Sequence, residues 1–144
     1  MKPIIVIDTR EQQAYSFEPD RADTTKAALP AGDYSLAGLE TVVAVERKSL
    51  DDFVRSVIRD RRRFHNELKR LTSYDATCVV VEGSLPDVLS RRYTGGAHPH
   101  SVLGAAMSII VDFHIPVFFC SNRPAARTFT QEFLLMFHER RCRE

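Results

Sequence analysis

Glu46 and Lys48 stand one residue apart at the end of the apolar run Thr41-Val42-Val43-Ala44-Val45, and a second carboxylate, Asp33, lies upstream in Gly32-Asp33-Tyr34. Along a strand successive side chains alternate between faces, so Glu46 and Lys48 project together while Arg47 points the other way. A carboxylate and an ammonium then share one pocket. If Asp33 reaches that pocket from a neighbouring strand, two hard oxygen ligands can hold Mg2+, or Mn2+ in its place, with water and a phosphate oxygen completing the octahedron. The chemistry such a set suits is phosphodiester hydrolysis. The cation neutralises a non-bridging oxygen, lowers the pKa of a bound water and steadies the leaving alkoxide. Lys48 either orients the water or stabilises charge on the pentacovalent phosphorus. Asp8, Glu11, Asp33 and Glu46 offer enough oxygens for one metal or two.

These residues need strands to hold them. Ile4 to Ile7 reads as a buried strand, a short aliphatic run bounded by Pro3 and Asp8-Thr9, and Glu11 to Asp23 reads as a polar loop. Thr24 to Leu29 is a strand candidate, Pro30-Ala31-Gly32 a turn, and Asp33 to Leu36 a strand that returns after Gly38 as Thr41 to Arg47. Asp33 and Glu46 are thereby expected on adjacent strands. Val42 to Val45 lacks polar alternation, as a central strand covered on both faces does. Leu50, Phe53, Val54, Val57 and Ile58 then repeat at helical spacing, break at Arg59 to Arg63, and resume as Phe64, Leu68 and Leu71. Two helices with a basic junction are expected. Thr77 to Glu82 follows as a strand, Pro86 to Arg91 as a short helix, Val102 to Phe113 as a helix, Ile115 to Cys120 as a strand, and Pro124 opens a terminal helix.

Taken together, Asp8-Thr9-Arg10-Glu11, Gly32-Asp33 and Glu46-Arg47-Lys48-Ser49-Leu50-Asp51-Asp52 resemble the XPF-type structure-specific endonuclease family, whose signature is Gly-Asp, a spacer, Glu-Arg-Lys and an Asp beyond. Ser56-Val57, Arg61, Phe64, Glu67, Leu68 and Leu71 continue the similarity, with Asp60 where a Gly commonly precedes that Arg, as does Ile115-Pro116-Val117-Phe118-Phe119. The resemblance implies a three-layer α/β domain of the restriction-endonuclease core, a mixed sheet with helices on both faces, over residues 1–144. It also implies metal ligation by Asp8, Asp33 and Glu46 and a catalytic Lys48. Arg10, Glu11, Arg47 and Asp52 match further active-site positions. A stand-alone form without the family's helix-hairpin-helix module or helicase part is expected.

Each residue also has a plainer explanation. Asp33 could stabilise the turn before it, Ser49 and Asp52 have the spacing of a capping box, and Arg10 with Glu11 could form a surface ion pair. Net charge is only +1, so composition does not advertise nucleic-acid binding. Distribution does. Arg55, Arg59, Arg61, Arg62, Arg63, Lys69 and Arg70 crowd one stretch beside the motif, where they would attract phosphates unless they are merely a solvated helix face. Arg61, Arg63, Arg55 and Arg59 are the expected DNA contacts. His98-Pro99-His100 fits the start of a helix better than a metal site. Cys78, Cys120 and Cys142 lack paired spacing, and Cys78 and Cys120 fit small buried hydrophobes.

The function expected is a metal-dependent DNA endonuclease acting at branched or flapped DNA in repair or recombination. A non-catalytic DNA-binding or scaffolding partner is the alternative, and it predicts loss of Asp33, Glu46 or Lys48. All three are present. No Gly-rich phosphate loop follows Ile4 to Ile7, which argues against a nucleotide-binding α/β protein. With no long apolar run, a cytosolic location is expected, nucleoid-associated in a bacterium or phage. The apolar surplus of Phe129, Phe133, Leu134, Met136 and Phe137, with that of Val102 to Phe113, points with the resemblance to a homodimer through the C-terminal helices.

Overall fold

The computed structural model describes residues 2–143. Val43-Ala44-Val45 lacks alternation because the strand that contains it, β4 (Val43–Ser49), lies inside a six-stranded sheet with both faces covered. The sheet runs β2-β1-β3-β4-β5-β6, built from β1 (Ile4–Asp8), β2 (Asp23–Ala27), β3 (Tyr34–Leu36), β5 (Ala76–Glu82) and β6 (Val117–Phe119). It is mixed. β3 is antiparallel to both β1 and β4, whereas β2 pairs parallel with β1, and β5 and β6 continue parallel from β4. Parallel pairing of Ser49 with Glu82 carries β4 two residues beyond the expected end at Arg47.

The period of two sorts β4 between the two cores. Ala44 packs with Val79, Val81, Phe53 and Leu68 under α1 (Leu50–Ile58), α2 (Arg61–Leu71), α3 (Leu85–Leu89) and α4 (Pro99–Phe113). Val43 and Val45 pack with Cys78, Val80 and Leu134 under α5 (Arg123–Cys142). The expected three-layer architecture is present. Cys78 is fully buried, and burial pushes its thiol pKa up.

Helix starts follow their caps. The Ser49 hydroxyl accepts from the Asp52 N–H at 3.1 Å and opens α1. His98 Nδ1 accepts from the His100 N–H at 3.1 Å, with Pro99 in the first turn, so the His-Pro-His segment is the start of α4. Asp60 sits between α1 and α2 at φ −105°, a conformation that any residue adopts, so the departure from Gly is accommodated.

The segment between β1 and β2 differs from the expected polar loop. Tyr15, Phe17 and Ala22 are buried against Tyr34, with Tyr15 and Tyr34 stacked at 5.2 Å. Irregular backbone hid the packing, since apolar residues spaced along a loop carry no period. The aromatic surplus of α5 differs as well. Phe129, Phe133 and Phe137 lie half-buried against the sheet, and the exposed apolar side chains include Met107, Ile110 and Val111 of α4, Phe118 of edge strand β6, and Met136.

Candidate active site

Gly32 sets the position of Asp33. Its φ is +78°, and a Cβ there would meet the Ala44 Cβ at 2.8 Å, so both conformation and close approach to β4 require glycine. The chain then enters β3 between its neighbours: the Asp33 N–H donates to the Val45 carbonyl at 2.8 Å, and the Asp8 N–H donates to the Asp33 carbonyl at 2.9 Å. Gly32→Ala is expected to cost about 2 kcal/mol or more, from a strained dihedral plus overpacking. Urea unfolding of the purified variant checks this, and an unchanged midpoint would contradict it.

Asp33, Glu46 and Lys48 line one open cavity of about 230 Å³ together with Asp8, Arg10, Glu67 and Arg70. Glu46 is only 8% exposed, receives no hydrogen bond from the described residues, and has the Lys48 ammonium 3.7 Å away. Burial, reinforced by the charge of Asp33, pushes its pKa well above the ordinary carboxylate value, against the opposing pull of Lys48. Asp33 is pushed up to about 6 by burial, with the Arg47 N–H, at 2.8 Å from its Oδ2, working in the other direction. The Lys48 ammonium rests over the Phe64 ring at 4.9 Å, a cation–π contact that holds it beside the carboxylates.

Two carboxylates with raised pKa values, Glu46 buried and Asp33 half-buried, have too little neutralising charge beside them and form a donor set that suits a hard divalent cation. Asp8 lines the same cavity but is already engaged. Its Oδ2 accepts from Arg10 Nε at 2.7 Å, and its Oδ1 accepts from the Leu29 N–H at 2.9 Å. Burial raises its pKa, but these partners outweigh burial and leave it below the ordinary value. Among the described residues no three acidic, histidine or cysteine side chains converge into a ready-made metal site. Of the cavity's carboxylates, Asp33 and Glu46 are the pair that could hold a cation.

Arg47 points to the opposite face, as the alternation of β4 requires. Its Nε donates to Glu11 Oε2 at 2.9 Å and its Nη1 to Glu82 Oε1 at 3.1 Å. Glu11 also accepts from the Tyr34 hydroxyl at 2.8 Å. The plainer alternative of an Arg10–Glu11 surface pair is not what forms: Arg10 pairs with Asp8, and Glu11 pairs with Arg47.

The family profile of the ERCC4 domain matches residues 7–133. The chain belongs to the ERCC4 domain family. This ERCC4 domain is 38% identical over 122 residues to the Methanocaldococcus jannaschii protein named "Putative ATP-dependent RNA helicase MJ1505", covering 84% of the chain and 14% of that protein's length. Its fold is similar to XPF from Aeropyrum pernix, with a TM-score of 0.72 and 25% identity. It is also similar to XPF from Aeropyrum pernix in complex with DNA, with a TM-score of 0.68 and 23% identity. Each comparison covers 96% of this chain and 66% of the solved chain. The resemblance carried by Gly32-Asp33 and Glu46-Arg47-Lys48 is borne out at the level of family and fold.

In this ERCC4 domain Asp52 stands outside the cavity and pairs with Arg55 at 3.0 Å. Ser49 caps α1, but Asp52 does not return the bond expected of a capping box. Arg63 pairs with Asp60 at 3.1 Å, while Arg59 and Arg61 make no ion pair with described residues. Sequence reasoning passed over Glu67 and Glu82 as site residues and placed Arg70 only within the basic cluster. Glu67 lies at i+3 from Phe64, the residue beneath Lys48, and Arg70 at i+3 from Glu67, and those spacings are the signal that could have found them. No helix of the described residues is long and apolar enough to cross a membrane.

Proposed function

We propose that this ERCC4 domain is the catalytic unit of a DNA endonuclease that hydrolyses phosphodiester bonds at branched or flapped DNA in repair or recombination, with Mg2+ as its cation and Mn2+ able to replace it. The observation that carries the reading is Glu46, buried without a hydrogen bond and facing an open cavity beside Asp33 and Lys48. Asp33 and Glu46 would hold the cation, which when bound supplies charge neutralisation at a phosphate oxygen and a lowered pKa for water. Lys48 brings an ammonium to the phosphorus that gathers negative charge during attack. Glu67, on the same cavity and without an ion pair to described residues, is placed to accept the proton of the attacking water. Arg10 and Arg70 at the rim, with Arg59 and Arg61 beyond, supply phosphate contacts that position the strand. The complex of Aeropyrum pernix XPF with DNA supports DNA as the partner.

The deciding assay incubates the purified protein with labelled single strands, duplexes, flaps, splayed arms and gapped DNA in Mg2+, Mn2+ or EDTA. Cleavage confined to junction-bearing DNA and abolished by EDTA is expected. Metal-independent cleavage, or none on any substrate, would overturn the reading.

Pairing of two copies belongs to the same proposal. Met107, Ile110 and Val111 on α4 are exposed, Val111 by 68%, and Phe118 lies on the free edge of β6 nearby. A two-fold contact would cover this apolar surface and the unpaired strand edge together. Sedimentation equilibrium at tens of micromolar is expected to give a dimer mass that Val111→Glu reduces to the monomer, whereas a parent protein of monomer mass would exclude it.

A further inference from the structure

On the face of the sheet away from the cavity, Glu82, a residue to which the expected chemistry assigns no role, closes a network around Arg47 and Glu11. Its carboxylate, 9% exposed, accepts from Arg47 Nη1 at 3.1 Å, from the Tyr15 hydroxyl at 2.5 Å and from Arg123 Nη1 at 3.4 Å. Arg123 also donates to the Gln13 carbonyl and lies over the Tyr15 ring at 4.7 Å. Glu11 takes the other side of the Arg47 guanidinium at 2.9 Å. Arg47 is therefore held between two carboxylates, and burial on this scale leaves such a clamp rigid. Its backbone N–H is the donor that meets Asp33 Oδ2 at 2.8 Å on the catalytic side. One residue thus spans both faces.

We propose that Glu82 is a positioning residue for cleavage: it clamps the Arg47 side chain so that the Arg47 amide holds Asp33 in the cavity, and it ties that clamp to the first turn of α5 through Arg123. The inference rests on the nuclease reading for its rate effect, but not for its structural part. The charge inventory supports a dedicated role. Two carboxylates, Glu11 and Glu82, balance two guanidiniums, Arg47 and Arg123, so the cluster is neutral and makes no demand on the cavity's own charges. The loop that carries Gln13 and Tyr15 and the helix that starts at Arg123 are joined at the catalytic end of β5, where Glu82 pairs in register with Ser49. Docking of α5 and alignment of the catalytic strand are thereby coupled through one side chain.

Glu82→Gln keeps the volume and removes the charge. Residues that orient a metal-ligating group typically change activity by about 10- to 100-fold, so single-turnover cleavage at saturating DNA is expected to fall about 10- to 100-fold. The dissociation constant for DNA should stay within about twofold of the parent, because the network contacts no phosphate-binding surface. In the metal-free, DNA-free protein, the Arg47 amide proton resonance should move upfield and its hydrogen exchange should quicken, while amides of the β4–β5 ladder at Val43 to Val45 keep their protection. This second readout tests the clamp even if the protein cleaves nothing, which separates failure of the inference from failure of the nuclease reading. An unchanged Arg47 amide overturns the proposal, and so does a parent-like cleavage rate in an otherwise active protein. If Glu82→Gln melts below the assay temperature, Tyr15→Phe, which removes one donor to Glu82 and retains the stacked ring, carries the same test with a smaller loss expected in both readouts.

Discussion

Asp33→Asn is expected to lower cleavage by at least about 10²–10³-fold, the scale on which preorganised electrostatic groups act in active sites, while making the metal-free protein more stable at neutral pH. Both effects come from the same observation. Asp33 is held beside Glu46 with its pKa pushed up to about 6 by burial, so its charge at pH 7 opposes folding until a cation arrives. The native state binds this proton more tightly than the unfolded chain, whose ordinary value is 3.8. Stability of the parent in EDTA therefore falls as pH rises from about 4 and levels off above about 6, by an amount on the order of 3 kcal/mol. Asn accepts the Arg47 N–H in the same way and carries no charge, so its stability curve is flatter across that window. Adding Mg2+ should raise the melting temperature of the parent and leave that of the variant nearly unchanged. Paired melting curves at pH 4.5 and 7.5, with and without Mg2+, check this; a variant less stable than the parent at pH 7.5 in EDTA would show that Asp33 is a structural anion.

Lys48→Ala is expected to reduce single-turnover cleavage by about 10²–10³-fold at saturating DNA and to leave folding intact. The side chain contributes an ammonium to the cavity, and that ammonium lies over the Phe64 ring without filling the core. Removal has a second, signed consequence. Lys48 is among the charges that hold the pKa values of Glu46 and Asp33 down, so without it both carboxylates lose their protons at higher pH. The rising limb of the residual pH–rate profile should therefore move to higher pH in the variant. A profile displaced to lower pH, or a rate equal to the parent, would remove Lys48 from the mechanism. Binding of DNA is expected to weaken much less than the rate, since the arginines of α2 and the rim remain.

Sequence alone determined the alternation that puts Glu46 and Lys48 on one face and Arg47 on the other, because a strand's period of two leaves no choice once the strand is recognised. It also determined the glycine before Asp33, the break between α1 and α2, and the start of α4 at the His-Pro-His segment, since each follows from local backbone preference. The family resemblance rested on the same local motifs, and the mixed three-layer sheet came with it. Tertiary structure decided what local preference cannot reach. Asp8 and Glu11 are near neighbours in the chain, yet one is neutralised by Arg10 and the other crosses the sheet to Arg47, a division set by which strand stands alongside. Asp52 reads as part of the motif, but the turn of α1 carries it toward Arg55 and away from the cavity. Glu67 enters the cavity from α2, and Glu82 and Arg123 meet Arg47 although β5 and α5 lie far along the chain from it. No spacing encodes those meetings. They arise from the packing of helices on a twisted sheet, where contacts between distant segments depend on the register and angle of whole elements and not on any residue's neighbours in sequence.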